Sequence, residues 1–398
     1  MSGLHKHILD RITGKVASID SRLIKEGEVF FAINSGADFI NDAIAKGASF
    51  VVEENALGVL LEYGQYTRSL SKAKIIGITG SVGKTTLKFW LSSVLGHKHK
   101  TLAGIRNYNT ICGIPVCLSM LERDHEYGIF ELGSNHRGEI KELAEYLKPD
   151  IAAITNIAPA HIGNFGSLEE IANEKISIVE ALSAGGIVLF PIDMPYKERL
   201  ASLAKSKNIT AIPFEEFHVP HLPRHYHSLC GAILAIIEVL GLESDKYVPF
   251  LEELSPLRGR GEIAMYSCDN RIIEIIDDSY NASITSMEAA IDFLNSYNSK
   301  NRKVAILGEM GEAGEFSFEF HKRLAEKSQN SGISKLIFIG SADFFAIFKE
   351  RGFETFEKAD NETVNKILRI LKDGDTVLIK GSRSVKLENI INVLQRIV

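Results

Sequence analysis

The feature that most constrains this chain is a glycine-rich turn between an apolar strand and a helix, Gly77–Thr86, with the sequence GITGSVGKTT. Its glycines let backbone N–H groups turn towards phosphates, and the helix N-terminus adds a partial positive charge. Lys84 can reach between the β- and γ-phosphates, and the hydroxyl of Thr85 or Thr86 can ligate the accompanying Mg²⁺. The sequence therefore predicts a nucleotide-binding loop made by Thr79, Gly80, Ser81, Val82, Gly83, Lys84, Thr85 and Thr86.

This loop does not by itself choose between a kinase, a GTPase, a motor and a ligase. Its spacing also departs from the general GxxxxGK[ST] pattern, because Ile78 occupies the position of the first glycine. A glycine-rich turn from a strand into a helix also has a purely structural interpretation. The lysine, the two threonines and the flanking elements favour phosphate binding.

Strands and helices alternate along most of the chain. Apolar runs at Ala73–Thr79, Tyr127–Leu132, Ile151–Ile157 and Gly186–Phe190 alternate with amphipathic helices, which is typical of a mostly parallel sheet covered on both faces. The alternation weakens after Phe190. A second α/β pattern follows the turn-rich stretch at 255–261 and ends in a predicted helix at 386–397. A smaller α/β pattern occupies the first seventy residues.

We therefore predict an α/β protein of three domains. Residues 1–71 form a small N-terminal α/β domain. Residues 72–254 form a central P-loop ATPase-like domain with a mostly parallel sheet, and residues 255–398 form a Rossmann-like C-terminal domain.

Composition narrows the classes of partner. The formal net charge of the 398 residues is −6, which argues against a nucleic-acid partner held by bulk electrostatics. The longest apolar stretch, Cys230–Gly241, is about half of the roughly 20 residues that a membrane helix needs. The four cysteines are too scattered for a disulfide framework or a zinc site. We expect a soluble cytoplasmic protein with no membrane insertion.

Polar residues follow the strands beyond the loop. Glu131 ends one strand, His161 follows the next, and Lys175 lies on the helix after it. Ligands gather at the carboxyl ends of parallel strands, so Glu131 and His161 can share a divalent ion near the γ-phosphate. Taken singly, each also fits a structural role: Glu131 as a helix cap, His161 as a hydrogen-bonded side chain, and Lys175 as a solvated lysine.

Taken together and in order, several motifs resemble the Mur ligase family, the ATP-dependent amide-bond-forming enzymes of peptidoglycan synthesis. The resemblance covers the chain from about Asp20 to the C-terminus. Within the family, the resemblance is strongest to the member that adds D-alanyl-D-alanine to UDP-N-acetylmuramoyl-tripeptide. The motifs are TGSVGKTT from Thr79, NYNTICGIP from Asn107, ELGSNHRGEI from Glu131, AHIGNFGS from Ala160, DDSYNA from Asp277, GEMGEAG from Gly308 and KGSR from Lys380.

The resemblance implies a catalytic set of Lys84, Glu131, His161 and Lys175, with ATP and two Mg²⁺ ions as cofactors. Thr85 and Glu131 would hold one Mg²⁺ and His161 the second. Lys175 aligns with the lysine that is carbamylated in this family, so it would become a buried carboxylate close to metal.

The resemblance also implies further residues that bind the nucleotide and the substrates, and it implies a reaction. ATP would phosphorylate a substrate carboxylate, and the amine of D-alanyl-D-alanine would attack the resulting acyl phosphate. We expect a monomeric cytoplasmic enzyme that contributes to cell-wall biogenesis, cell shape and cell division. The implied nucleotide contacts are Asn107, Asn109, Arg260, Asp278, Tyr280 and Asn281; those to UDP are Asp20, Ser21 and Arg22; those to the peptide are Lys380, Ser382 and Arg383.

Two segments depart from the family. His227-Ser-Leu-Cys-Gly231 replaces the His-Asn-x-x-Asn stretch that helps to hold ATP, and the uridine-binding segment near residues 32–39 is shortened. We therefore expect nucleotide affinity or adenine recognition to be weaker or differently built. Two alternatives stay open: another ligase of the superfamily, such as the enzyme adding the third residue or a folylpolyglutamate synthase-like enzyme, and a catalytically silent homologue that binds nucleotide.

Overall fold

A computed structural model describes residues 3–297 and 301–397 of the chain. In that part, the packing divides the chain into two compact units. The sequence-based domain boundaries at residues 71 and 254 stay a prediction. The first unit comprises Met1–Asn156, Ala172–Glu216 and Gly231–Leu251, and the second comprises Ile157–Ile171, Phe217–Cys230 and Glu252–Val398.

Within the described residues, the first unit contains a small three-stranded sheet near the N-terminus. Its strands are parallel in the order β1-β2-β3. Val29 and Phe31 are fully buried against one face, together with Leu60 and Tyr63. The elements are α1 (Gly3–Ile12), β1 (Ala17–Ser18), β2 (Val29–Phe31), α2 (Ile40–Ala45), β3 (Phe50–Val52) and α3 (Ala56–Leu70).

The first unit also contains, within the described residues, a six-stranded parallel sheet in the order β5-β6-β4-β7-β8-β9. Almost every residue of its central strands is buried, because helices cover both faces. A helix at Lys197–Ser206 and the last strand of this sheet lie beyond Phe190, where the sequence pattern weakens. The strands are β4 (Lys74–Thr79), β5 (Thr101–Ala103), β6 (Tyr127–Glu131), β7 (Ile151–Ile154), β8 (Ile187–Pro191) and β9 (Thr210–Phe214).

Helices connect these strands and follow the last of them, and the short helix at Ile162–Phe165 belongs to the second unit. The helix predicted around Lys175 ends at Ile176 as an α-helix, because the residues that follow adopt a 3₁₀ conformation at Ser177–Ala181. The helices are α4 (Lys84–Gly96), α5 (Gly113–Ser119), α6 (Glu139–Leu147), α7 (Ile162–Phe165), α8 (Leu168–Ile176), α9 (Lys197–Ser206), α10 (His227–Val239) and α11 (Val248–Leu251).

The second unit has, within the described residues, a seven-stranded sheet in the order β14-β13-β12-β15-β11-β10-β16. β10 runs antiparallel to both of its neighbours, and the other pairs are parallel. The strands are β10 (Glu262–Cys268), β11 (Arg271–Asp278), β12 (Lys303–Gly308), β13 (Lys335–Ile339), β14 (Glu354–Phe356), β15 (Thr376–Lys380) and β16 (Gln395–Arg396). The helices are α12 (Ile284–Ser296), α13 (Ser317–Gln329), α14 (Phe345–Lys349), α15 (Asn361–Ile370) and α16 (Glu388–Asn392).

The prediction of one last helix at 386–397 is wrong. The helix is α16 alone, and the chain then pairs as β16 with the edge of β10. The apolar spacing of this segment fits either structure, and the exposed hydrogen-bonding groups of β10 decide the outcome. Among residues 3–297 and 301–397, no helix combines the length and the apolar character that crossing a bilayer requires.

The chain order places three loops at one edge of the six-stranded sheet. β4 lies between β6 and β7, and all three strands point the same way. Their carboxyl ends therefore bring together the glycine-rich loop after Thr79, the segment beginning at Glu131, and the residues Thr155 and Asn156. This edge is where an open parallel sheet binds its ligands.

A buried carboxylate in the second unit gives a test of its stability. Asp375, which is 1% exposed, accepts two hydrogen bonds from Arg302, at 2.8 and 2.6 Å, and a third from the N–H of Lys372. Asp375→Ala removes the acceptor of the Arg302 Nε–H and of the Lys372 N–H. We therefore expect a loss of about 3 kcal/mol in the free energy of unfolding. Chemical denaturation measures the loss.

The matched control is Asp373→Ala. Asp373 accepts a hydrogen bond from the N–H of Ile272 at an exposed position, so its removal should cost less than about 1 kcal/mol. Equal losses for the two variants would contradict the role given to Asp375.

Candidate active site

The glycine-rich loop is shaped by its neighbours as well as by its glycines. Gly80 has φ +133° and Gly83 has φ +87°, conformations that favour glycine. A Cβ atom at Gly80 would lie 2.1 Å from Oγ1 of Thr155, so a side chain does not fit there. Lys84 begins α4, and its Nζ donates to the carbonyl oxygens of Gly80 (2.7 Å) and Ser81 (3.2 Å). The lysine thus lies folded against the loop that it would share with phosphates.

Glu131 lies at the carboxyl end of β6 and is 5% exposed. The hydroxyl of Thr85 donates to its Oε2 (2.8 Å), and the side-chain amide of Asn109 donates to its Oε1 (2.9 Å). Burial alone would raise the pKa of Glu131. The positive charges of Lys84 and Lys88, with these two hydrogen bonds, outweigh burial and lower the pKa. Glu131 is therefore held as a carboxylate.

Lys88 is a member of this cluster that the sequence analysis missed. Its side chain is 2% exposed, and its Nζ lies 3.6 Å from Oε2 of Glu131 and donates to the carbonyl oxygen of Arg106 (2.8 Å). The signal was its spacing, because residues three and four positions apart share a helix face. Lys88 follows Lys84 and Thr85 by that interval on α4.

Lys175 is buried rather than solvated, with 2% exposure. Its Nζ donates to Oγ of Ser134 at 2.7 Å. Burial, and then the charge of Lys84, lowers the pKa of Lys175 to about 7. The neighbouring Glu174, which the sequence analysis also missed, accepts the N–H groups of Gly138 (2.6 Å) and Ile140 (2.8 Å) and so fixes the start of α6.

His161 belongs to the second compact unit. Its Nδ1 lies 2.5 Å from Oε2 of Glu312, and this close pairing lowers the pKa of the Glu312 carboxyl. The N–H of Gly163 donates to the carbonyl oxygen of Glu312 (2.9 Å), which joins the two segments a second time. The role of His161 as a metal ligand stays a prediction.

The predicted binding residues of the second unit form one cluster. The guanidinium carbons of Arg260 and Arg383 lie 4.1 and 5.5 Å from the ring centroid of Tyr280. Nζ of Lys380 lies 2.8 Å from Oδ2 of Asp278. Burial raises the pKa of Asp278, although the lysine opposes that effect. The strand pairing of β11 with β15 places this pair side by side.

Two further predicted residues complete that cluster. Lys380 donates to the carbonyl oxygen of Asn281 (3.0 Å), and the backbone N–H of Ser382 donates to the carbonyl oxygen of Glu309 (3.0 Å). The carboxyl end of β15 is therefore connected to both the DDSYNA and the GEMGEAG motifs.

The residues predicted to bind UDP lie beside the small sheet. Arg22 donates to both carboxylate oxygens of Asp20, at 2.8 and 2.7 Å, and its side chain is 83% exposed. This pairing lowers the pKa of Asp20. Ser21 is buried, and its carbonyl oxygen accepts a hydrogen bond from Lys46.

Asn107, which is predicted to contact the nucleotide, accepts the N–H of Asn109 with its carbonyl oxygen (2.8 Å), within the turn that supports Glu131.

The donor atoms around Glu131 fit Mg²⁺. Mg²⁺ prefers hard oxygen ligands, and the Thr85 hydroxyl and the Glu131 carboxylate supply two oxygen atoms that lie 2.8 Å apart. Thr85 lies in the first turn of the helix that follows the glycine-rich loop, and Glu131 reaches it from the carboxyl end of β6. The arrangement can therefore hold a divalent cation beside a phosphate bound at that helix terminus.

Comparisons with known proteins agree with one another. Residues 78–219 match the Mur ligase middle domain, and residues 259–383 match the Mur ligase glutamate ligase domain. The UDP-N-acetylmuramoyl-tripeptide–D-alanyl-D-alanine ligase of Rickettsia prowazekii (strain Madrid E) is 32% identical over 94% of this chain and 94% of its own.

Two solved structures share the fold. MurF from Acinetobacter baumannii superposes with a TM-score of 0.81 at 25% identity, covering 94% of this chain and 92% of its own. MurF ligase from Thermotoga maritima, solved in complex with ADP, gives a TM-score of 0.79 at 22% identity and covers 98% of both chains.

Glu131→Gln tests the proposed cation site. The substitution keeps the size of the side chain but removes its charge, and it turns an NH₂ group towards either Thr85 or Asn109. We expect the gain in ADP affinity that Mg²⁺ provides to fall by about tenfold or more. Titration calorimetry with and without Mg²⁺ measures it.

Glu126→Gln is the control, because this exposed carboxylate immediately precedes β6, at the opposite end of that strand. It should leave the Mg²⁺ dependence unchanged. An unaltered Mg²⁺ dependence in Glu131→Gln would exclude the site.

Proposed function

The chain belongs to the Mur ligase family, and we propose that it joins D-alanyl-D-alanine to UDP-N-acetylmuramoyl-tripeptide while ATP is converted to ADP and phosphate. The similarity to the Rickettsia ligase over nearly the whole of both chains supports this choice over a folylpolyglutamate-like ligase. The buried Glu131 and Lys175, with the half-buried Lys84, argue against a catalytically silent homologue, which has no need to keep a carboxylate and an amine inside.

The observation that carries the proposal is the buried Glu131 carboxylate beside the phosphate loop. Thr85 and Lys84 start the helix that would receive the phosphates, and Glu131 bonds directly to Thr85. On nucleotide binding, Lys84 would exchange the carbonyl oxygens of Gly80 and Ser81 for phosphate oxygens. Mg²⁺, held by Thr85 and Glu131, would neutralise the phosphates and make the γ-phosphorus easier to attack.

The chemistry proceeds in two displacements. A carboxylate oxygen of the tripeptide attacks the γ-phosphorus, the bond from that phosphorus to the bridging oxygen breaks, and ADP leaves. The amine of D-alanyl-D-alanine then attacks the acyl carbon, loses a proton and expels phosphate. Lys84 would stabilise the charge that develops on the transferred group. Because the reaction uses ATP and a UDP-linked substrate, we place it in the cytoplasm, and we expect a monomer.

We propose that Lys175 carries a carbamate in the active enzyme. Its neutral amine would attack the carbon of CO₂, form an N–C bond and release a proton, leaving an anion. The lowered pKa of Lys175, about 7, supports this, because a larger neutral fraction is available than for an ordinary lysine. Ser134 lies within hydrogen-bond distance of the same nitrogen. The resulting carbamate would supply an oxygen ligand for the second Mg²⁺.

The activity is tested by phosphate release. We expect release only when ATP, UDP-N-acetylmuramoyl-tripeptide and D-alanyl-D-alanine are all present, and a loss of about a hundredfold or more in turnover for Lys84→Ala. Lys175→Ala should also lose turnover. Release with glutamate or diaminopimelate as the amine, and none with the dipeptide, would refute the proposed substrate.

The carbamate gives turnover a dependence on pH and CO₂. The amine is protonated below its pKa of about 7 and cannot add CO₂, so occupancy should fall as the pH falls through that value. Enzyme degassed at about pH 6 should lose turnover and regain it when bicarbonate is added at about pH 8. Intact-mass spectrometry should find one added CO₂ per chain.

Lys197→Met is the control, because this lysine bonds to the carbonyl oxygen of Ile192 at an exposed site. Its response to bicarbonate should match that of the unmodified enzyme. If bicarbonate does not change the turnover of the enzyme with its natural sequence at either pH, the carbamate is excluded.

A further inference from the structure

The glycine-rich loop, which is the proposed phosphate loop, is hydrogen-bonded through Val82 to the residues that follow β7. The side-chain amide of Asn156 bonds to both backbone groups of Val82: its Oδ1 accepts the N–H (3.0 Å) and its Nδ2 donates to the carbonyl oxygen (3.1 Å). The hydroxyl of Thr155 donates to the same carbonyl oxygen (2.6 Å). The backbone carbonyl oxygen of Asn156 accepts the N–H of Ser81 (3.1 Å).

These contacts determine which way the loop's peptide groups point. A trans peptide directs its C=O and N–H to opposite sides. Because the N–H groups of Ser81 and Val82 point towards Asn156, the carbonyl oxygens of Gly80 and Ser81 point the other way, where both accept from Lys84. By the same geometry, the Val82 carbonyl oxygen points towards Asn156 and Thr155.

The N–H of Gly83 therefore points away from Asn156, towards the side on which Lys84 lies. The loop has one anchored side and one side that presents a donor and a cation. That second side is the one suited to bind phosphate oxygens.

We propose that Asn156, supported by Thr155, is a positioning residue for ATP: it holds the phosphate loop in its binding shape before the nucleotide arrives. This inference rests on the proposed function, because it assumes that the loop binds ATP. Val82, which was predicted as a nucleotide contact, then shapes the loop and uses its N–H for Asn156. An asparagine suits this position, since it offers a donor and an acceptor side by side.

The side chain of Asn156 is matched to its task in length and polarity. Aspartate keeps the acceptor for the Val82 N–H but turns a second oxygen towards the Val82 carbonyl oxygen. Alanine removes both bonds. Thr155 is 2% exposed and adds the third bond, so Thr155→Val removes that bond at nearly constant volume.

The test is the binding of ADP with Mg²⁺ to the full chain, measured by titration calorimetry. For Asn156→Ala and Asn156→Asp we expect the affinity to fall by about tenfold or more, because an unanchored loop must be ordered when the nucleotide binds. Thr155→Val should lose about threefold. In steady-state assays the KM for ATP should rise, while the KM for D-alanyl-D-alanine stays unchanged.

Ser119→Ala is the matched control. Ser119 is buried in the same compact unit, where it accepts the N–H of Ala17 (2.8 Å) and donates to the carbonyl oxygen of Val116 (2.7 Å), and neither bond joins it to the loop. Its removal should lower the melting temperature and leave ADP affinity unchanged, which separates a loss of stability from a loss of loop order.

Three outcomes overturn the inference. The first is an ADP affinity of both Asn156 variants that stays within about twofold of the chain without substitutions. The second is an equal rise in the KM values for ATP and the dipeptide, which indicates general damage. Failure of the unmodified chain to bind ADP would overturn this inference and the proposed function together. The aspartate variant keeps the size of the side chain, so it carries the test if the alanine variant does not fold.

Discussion

The site depends on burying one carboxylate without losing its charge. Removing Glu131 from water is unfavourable unless hydrogen bonds and opposite charges replace its hydration. Thr85 and Asn109 provide the hydrogen bonds, while Lys84 and Lys88 provide the positive charge. These four partners come from the start of α4 and from the turn before α5, so both segments must be in place for Glu131 to remain ionised. The same requirement places two oxygen atoms suited to a divalent cation beside the helix terminus that is proposed to bind phosphate.

The two strands beside β4 contribute different contacts to the site. On one side, β6 ends at Glu131, which faces the start of the helix. On the other side, β7 leads to Thr155 and Asn156, which bond to the loop itself. The loop between them has little apolar surface of its own, so its shape is determined by bonds to these strand ends. A parallel sheet provides both sets of bonds at one edge because all three strands point the same way.

The sequence was sufficient for the parts of the site that a local pattern describes. The strand, the glycines and Lys84 are adjacent in the chain, and Glu131 and Lys175 could be carried over from a family motif. Lys88 and Asn156 were missed because each acts on a partner far away in sequence, Glu131 in one case and Val82 in the other. The partner of His161 was missed for the same reason, since Glu312 lies in another motif. At the C-terminus, β16 forms where an edge strand is available, which spacing alone does not reveal.

One ammonium group satisfies two opposite protonation requirements. A ligand for Mg²⁺ must be an anion, whereas a lysine that is to add CO₂ must be neutral. The positive charge of Lys84 lowers the pKa of both Glu131 and Lys175, which favours the charged form of the acid and the uncharged form of the amine. Burial opposes the first effect and reinforces the second, so Glu131 needs its additional partners while Lys175 does not. The binding of phosphates at Lys84 would weaken this influence on both groups. By then the bound metal ions would hold Glu131 as a carboxylate and Lys175 as the proposed carbamate.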